Sequence, residues 1–584
     1  MDDQPPSTDA NAINQVKSVY LVRLRRQHAV TINVAVNEDR TENQLPLAQP
    51  ATVQWEPREL SEQELMFGQE KEFSSMKEFS VYEEVLKSDL TKDQVREIID
   101  CRWVDRLKPG GSVRCRLVCR GFKEEINSAD DVYASTPTLS SLKLVLLDAL
   151  NRNRSIYTGD ISTAFLHADV IKEILIKPPN DFIPAITVPI GDQVLWKLLK
   201  AMYGLRSAPR SWQDHLVAVF AQIGLQRCKS DPSLFVAATS DIFLIAYVDD
   251  LLITGPDQPA VQYMVDLIKG ELLLKDVGWL NPGSSCRFLG RHVHHYGTHI
   301  TIGVGSDYIH AMLTSMDLTT SRTSTTTGAK VKEELMEPEF EPETQEVSYR
   351  TIAGKLQWLT GLRPDIQYAV KEIARDSSDV TRTSWIKVKH VLRYLKGTAN
   401  YTQAFKQITT ENMPSEIDVY ADADWAGCST TRRSTTGFVI TINGNLVHSA
   451  SRTQGTVAMS SAESELYALC SAAQEALFLR NLMMESGLGA QSMTINLHTD
   501  SSAAKSLVSR SGPGKKSKHI ELKYLFLQEL IQDGQVRILK VGTHDNYADL
   551  MTKYLSGDVT KKHSYALGCH DQAKPHDIYK IYEC

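Results

Sequence analysis

The stretch DIFLIAYVDDLLITG, residues 241–255, constrains the fold more than any other part of the chain. Two runs of β-prone apolar residues meet at the adjacent acids Asp249 and Asp250, which reads as a hairpin with two carboxylates at its tip. Neighbouring like charges repel, and a hard divalent cation, which prefers carboxylate oxygen, offsets that cost. A solvated Asp-Asp turn fits the same letters. A second short strand, SIYTGD, ends in Asp160 and leads into ISTAFLHADV. Three carboxylates from two strand ends match what a pair of metal ions ~3.5–4 Å apart needs to stabilise the attacking and leaving oxygens of an in-line phosphoryl transfer.

The longest apolar run, Ile242 to Val248, has seven residues, against ~20 for a membrane helix. The N-terminus, MDDQPPSTDANAINQ, is polar and acidic and has no apolar signal core. These features predict no membrane span and no secretion. The nine scattered cysteines read as reduced thiols of an intracellular protein. The net charge of −7 means that any basic footprint for nucleic acid is local, because a dedicated nucleic-acid module is usually basic overall.

The 584 residues leave room for about three to five domains. Residues 1–60 read as a disordered leader, poor in apolar residues. Three- and four-residue apolar steps between Ser61 and Leu90 predict an opening helix. Between Cys101 and Lys123, seven Lys/Arg face one acid in a strand-rich patch. Ser140 to Leu150 is a strongly apolar helix, and short strands then alternate with helices to about residue 300. Residues 318–347 pass from Ser/Thr-rich to acidic text and read as a linker, and Tyr349 to Thr398 as helices. From Ile417 a strand, a hairpin, a long helix, a strand, a helix and a strand predict a compact α/β unit.

The phrases CRWVDRLKPGGSVRCRLVCRGF, DISTAFLHADV, WKLLKAMYGLRSAPRSW, DPSLF, YVDDLLITG and FLG occur in this order. Together they resemble the reverse transcriptase of copia-type LTR retrotransposons. The resemblance implies that Asp160, Asp249 and Asp250 hold two Mg2+ ions (or Mn2+) in a palm, and that Phe165 is the aromatic gate against a 2′-hydroxyl. It places Arg116, backed by Arg114 and Arg120, over the incoming triphosphate, a task suited to the planar guanidinium. Phe288, Leu289 and Gly290 match the primer-grip hairpin. Ser207 stands where the family usually writes a Gln beside the incoming nucleotide. The letters alone also allow a core aromatic at Phe165, a solvated basic hairpin at Arg116 and an ordinary strand pair at Phe288.

The C-terminal unit resembles an RNase H in YADADWAG, STTGFVI, MSSAESELYAL, TDSSAAKSL, KSKHIELKY and ADLMTKYL. The resemblance gives Asp422, Asp500 and Asp549 metal roles. Glu463 and Glu465 lie two apart on a helix and so point in different directions; Glu465 is the choice, with Asp424 standing behind Asp422. His544 fits either a mobile proton shuttle or a solvated loop. The basic run Lys505 to Lys523 suits the backbone of a hybrid duplex or a solvated helix face. The run RHVHHYGTH clusters four histidines without a Cys or acid to complete a zinc set.

The reading is an α/β and α+β multidomain chain, a right-hand polymerase followed by an RNase H-like α/β domain. Its divisions are a leader (1–60), fingers and palm (61–300), a linker with helical thumb or connection (301–410), an RNase H-like domain (411–560) and a tail (561–584). The resemblance implies an RNA- and DNA-directed DNA polymerase with ribonuclease H. Its partners would be an RNA template, DNA primer and product, RNA–DNA hybrid, dNTPs and a priming tRNA. The setting would be a cytoplasmic virus-like particle with a nuclear product. No Gag knuckle, protease or integrase signature occurs, so the chain reads as the C-terminal segment or a truncated copy of such a polyprotein. A decayed or host-adopted nucleic-acid-binding copy fits the same text. An RNA-templated RNA polymerase fits the paired Asp residues, but not Phe165 and the attached C-terminal unit.

Overall fold

A computed structural model describes residues 60–107, 113–126, 128, 132–180, 182–328, 348–408, 413–509 and 521–571. The described residues fall into two compact units, one of those up to Tyr133 with Phe165–Trp212, the other of Ala134–Ala164 with those from Gln213 onward. The first unit joins the first strands to residues brought back from further along the chain. The leader, and most of the linker, lie outside the described residues.

In the first unit, α1 (Glu62–Glu78) begins with a capping box between Ser61 and Glu64. It is shorter than the 61–90 span suggested, since β1 (Tyr82–Leu86) follows. β2 (Ile99–Leu107) and β3 (Val113–Cys119) form the basic hairpin. β5 (Leu175–Lys177) and β6 (Val194–Leu198) complete a sheet ordered β1-β6-β5-β2-β3. Tyr82 stacks on Trp196, ring centroids 3.8 Å apart, over buried residues of this sheet.

The second unit opens with α2 (Leu139–Asn151), whose residues Ser140 to Leu150 are all buried. The two charged residues of α2, Lys143 and Asp148, are buried with partners of their own, and the helix shares one core with residues of three sheets. The first is the palm sheet. It holds β4 (Ser155–Ile161), β7 (Gln226–Arg227), β8 (Leu234–Ala237), β9 (Ile242–Tyr247), β10 (Asp250–Gly255) and β11 (Leu274–Trp279), in the order β11-β4-β10-β9-β8-β7.

The next sheet joins β12 (Ser285–Phe288), β13 (Arg291–His295), β14 (His299–Gly303), β15 (Tyr401–Lys406) and β21 (Cys569–Asp571). Residues 561–571, which the sequence reading assigns to a tail, carry the end of a helix and a strand of this sheet. The helix Gly557–Ala566 leads into β21, Cys569 is fully buried, and Gln403 Nε2 donates to Leu567 O at 2.7 Å. A three-residue strand is too short to announce itself by periodicity. Helices Tyr349–Leu359, Gln367–Arg375 and Arg382–Gly397 build a separate helical core.

The C-terminal α/β domain has β16 (Glu416–Asp424), β17 (Thr435–Ile442), β18 (Asn445–Thr453), β19 (Thr494–Thr499) and β20 (Val536–Lys540). Their order is β18-β17-β16-β19-β20, antiparallel across the first three and parallel across the last three. The 26-residue helix Ser461–Ser486 packs on β16 and β17. The Asn443–Gly444 turn has φ of 50° and 72°, the tight hairpin turn that an Asn-Gly pair favours. No helix among the described residues is long and apolar enough to cross a membrane.

Candidate functional site

In the palm sheet, β10 lies between β9 and β4, and its register sets Asp250 directly opposite Asp160. Asp249 is held beside them because its carbonyl accepts from Ile161 N at 2.7 Å. The turn that carries the acids is Val248–Asp249, with Val248 at φ 53°. A β-branched residue there is a backbone outlier, and such strain collects at functional turns. Burial, and then the charges of Asp249 and Asp160, push the Asp250 carboxyl up to about 6, while Arg287 opposes them. An acid pushed up by two neighbouring carboxylates marks a place where cationic charge is favoured.

The first unit holds Arg116, Phe165 and Ser207. The Arg116 guanidinium lies 4.1 Å from the centroid of Tyr203, and Tyr203 meets Phe165 edge to face at 5.3 Å. Tyr203 therefore links two of the expected residues. Its signal in the sequence was the Gly that follows it: Gly204 sits at φ 91°, and a Cβ there would come within 2.2 Å of Cys119 O. That close approach lets Cys119 N donate to Tyr203 O at 2.8 Å, tying the loop to β3. Ser207 is 2% exposed, and its hydroxyl donates to Glu124 Oε1 at 2.6 Å. The short hydroxyl fixes the loop to Glu124, which also accepts from Arg206 N and Ser207 N.

Elsewhere in the second unit, Leu289 and Gly290 form a two-residue turn with φ of 51° and 72°, and Phe288 is buried. His292, His294 and His295 lie on β13 and His299 on β14. His299 stacks with Tyr296 at 4.6 Å.

The C-terminal domain gathers Asp422 from β16, Glu465 from the long helix and Asp500 from the end of β19. One ligand atom from each lies within 4.8 Å of the others. Burial, then Asp422 and Asp500, push the Glu465 carboxyl up to about 9. Its Oε2 is buried without a hydrogen-bond partner. Glu463 is used differently, accepting from Met459 N at 2.7 Å and from Tyr467 OH at 2.7 Å.

Asp549 joins the cluster through Lys553, whose Nζ lies 2.8 Å from Asp549 Oδ1 and 3.7 Å from Asp422 Oδ2. Burial and Asp422 push Asp549 up to about 7. Thr552 donates its hydroxyl to Asp422. Lys553 and Thr552 were not singled out by sequence; the usable signal was helical spacing, four residues from Asp549 to Lys553. His544 lies in the turn Thr543–Asp545, and its carbonyl accepts from Lys562. Of the basic run Lys505 to Lys523, residues 510–520 lie outside the described residues. An unpartnered buried carboxylate oxygen among acids fits a hard cation, so the Asp422, Glu465 and Asp500 cluster has a donor set that could hold one.

Residues 85–330 match the family model described as reverse transcriptase (RNA-dependent DNA polymerase). These residues are thus similar to a reverse transcriptase domain. The chain is 28% identical over 506 residues to the Pol polyprotein of transposon TNT 1-94 from Nicotiana tabacum, covering 84% of this chain and 36% of that one. It is 30% identical over 468 residues to the Pol polyprotein of transposon RE1 from Arabidopsis thaliana, covering 79% and 31%. Over most of its length the chain is thus similar to the Pol polyproteins of plant retrotransposons. It spans about a third of the length of these relatives. A solved foamy viral protease–reverse transcriptase in complex with double-stranded DNA aligns at TM-score 0.43 and 12% identity, over 76% of this chain and 65% of that one.

Proposed function

We propose that this chain is an RNA- and DNA-directed DNA polymerase joined to a ribonuclease H. It copies retrotransposon RNA from a DNA or tRNA primer with dNTPs and degrades the RNA of the resulting hybrid. The observation that carries the reading is two acid clusters in two separate sheets of one chain: Asp250 opposite Asp160 with Asp249 adjacent, and Asp422, Glu465 and Asp500 within 4.8 Å with Asp549 behind Lys553.

Asp160, Asp249 and Asp250 would hold one pair of Mg2+ ions, and Asp422, Glu465, Asp500 and Asp549 the other; Mn2+ suits the same oxygens. Bound metal supplies stabilisation of the attacking and leaving oxygens. Phe165 excludes a 2′-hydroxyl, and Arg116, oriented by Tyr203, contacts the triphosphate. The reaction would proceed in a cytoplasmic particle.

The test uses Asp249→Asn and Asp500→Asn in the full chain. Each removes one charged oxygen from one cluster, for a loss of ~100-fold or more in the affected activity. Asp249→Asn is expected to stop primer extension while still cutting a preformed RNA–DNA hybrid. Asp500→Asn is expected to extend primers and leave the RNA strand whole. One substitution abolishing both activities, or hybrid cleavage surviving Asp500→Asn, overturns the two-site assignment.

A further inference from the structure

Beside the C-terminal acid cluster lies an apolar surface that the chemistry above does not use. Trp425, Val457 and Met459 are 47%, 47% and 76% exposed. Trp425 stands three residues beyond Asp422 on the loop leaving β16. Met459 stands just before the helix that carries Glu465, and its N–H bonds Glu463. The two loops are joined by Trp425 Nε1, which donates to Ala458 O at 3.0 Å. That bond spends the indole's one donor, so what the ring offers to solvent is its apolar surface.

The loop is built rather than loose. Ala426 and Arg432 both sit at φ 54°, Ala426 N donates to Ser434 Oγ at 3.0 Å, and Arg432 N to Cys428 O at 2.9 Å. The same loop presents Arg432 and Arg433, both exposed, and neither forms an ion pair among the described residues. Unpaired guanidiniums next to an exposed aromatic are the composition of a nucleic-acid contact: phosphate to the cations, base and sugar to the ring. The wide, shallow minor groove of an A-like duplex is open to side chains of these kinds.

We propose that Trp425, with Val457 and Met459, forms a platform for the minor-groove face of an RNA–DNA hybrid beside the scissile phosphate, with Arg432 and Arg433 on neighbouring phosphates. The proposal rests on the ribonuclease H reading and adds to it the surface that seats the substrate. Trp425 is a substrate-contact residue here, and its bond to Ala458 O holds together the two loops that flank the acids.

The test compares the full chain with Trp425→Ala, Trp425→Phe and the double variant Arg432→Ala/Arg433→Ala on a short blunt-ended RNA–DNA hybrid with no primer terminus. Trp425→Ala is expected to raise KM for cleavage about tenfold, the scale of one lost base–aromatic contact, with kcat little changed. Trp425→Phe retains a ring and recovers most of the affinity. The arginine variant shows a shallower dependence of KM on salt. Primer extension by Trp425→Ala stays at the parent rate, which also reports folding.

An unchanged KM in Trp425→Ala, a loss confined to kcat, or an equal loss of primer extension overturns the proposal. So does unchanged hybrid affinity with an altered oligomeric state, which would make the platform a protein-docking face. If the parent does not cleave the hybrid, the ribonuclease H reading fails by itself. Fluorescence anisotropy with labelled hybrid then decides the platform: weaker binding by Trp425→Ala supports it and equal binding overturns it.

Discussion

At the scale of single residues, burial among like charges gives the acids their character. Glu465 titrates near 9 instead of its ordinary 4.5 because it is buried and faces Asp422 and Asp500. Between those values the folded chain holds a proton that the unfolded chain has released, so the metal-free protein loses stability as pH rises through that window. Glu465→Gln removes this contribution. Thermal melts in chelator at about pH 5 and about pH 9 are expected to differ less for the variant than for the parent. An unchanged difference would assign the dependence to other groups. Phe165 poses a steric question instead. Its ring is fixed against Tyr203, and Phe165→Val opens space where a clash would exclude a ribose hydroxyl. The dNTP/NTP ratio is expected to fall by about tenfold or more, each ~1.4 kcal/mol of lost discrimination being tenfold. A ratio equal to the parent's would remove Phe165 from the gate.

At the scale of elements, glycines and hairpin turns decide where side chains can go. Gly204 has φ 91° and no room for a Cβ against Cys119 O and Val118. Gly204→Ala combines an unfavourable backbone conformation with a backbone clash, and is expected to cost about 2–3 kcal/mol. Because that loop ties Tyr203 to β3, the same variant is expected to raise KM for dNTPs. Hydrogen exchange at Cys119, measured with steady-state kinetics, checks both parts. The YVDD hairpin was legible as a hairpin because its two apolar runs exceed what one strand needs. Its register against β4 was not legible, because the pairing of Asp250 with Asp160 is made between residues ninety positions apart. The strand β1 was hidden in a charged stretch, YEEVL, that has no buried position.

At the scale of the whole molecule, α2 enters a core shared by the palm sheet, the β12–β15 sheet and the C-terminal α/β domain. Leu146 on this helix is fully buried. Leu146→Ala leaves a cavity, with an expected cost of about 2–5 kcal/mol. Since the core is common, thermal inactivation of primer extension and of hybrid cleavage is expected to move to lower temperature together. Inactivation of one activity alone would show that the two sheets do not depend on α2 jointly.

The local alphabet determined much by itself. Asp249 and Asp250 at a hairpin tip, Asp160 and Asp500 at strand ends and Glu465 near a helix start follow from periodicity, which is a short-range property of the chain. Helical geometry said only that Glu463 and Glu465 point in different directions, and the resemblance of ELYAL to RNases H chose Glu465; the two side chains take different partners. Only the tertiary structure decided which distant residues meet. Lys553 between Asp549 and Asp422, Glu124 on Ser207, Tyr203 between Arg116 and Phe165, and β21 on β15 are each closed by packing. Periodicity records which face of an element is apolar. It carries no record of what that face, or a charge beside it, will touch once the chain has folded.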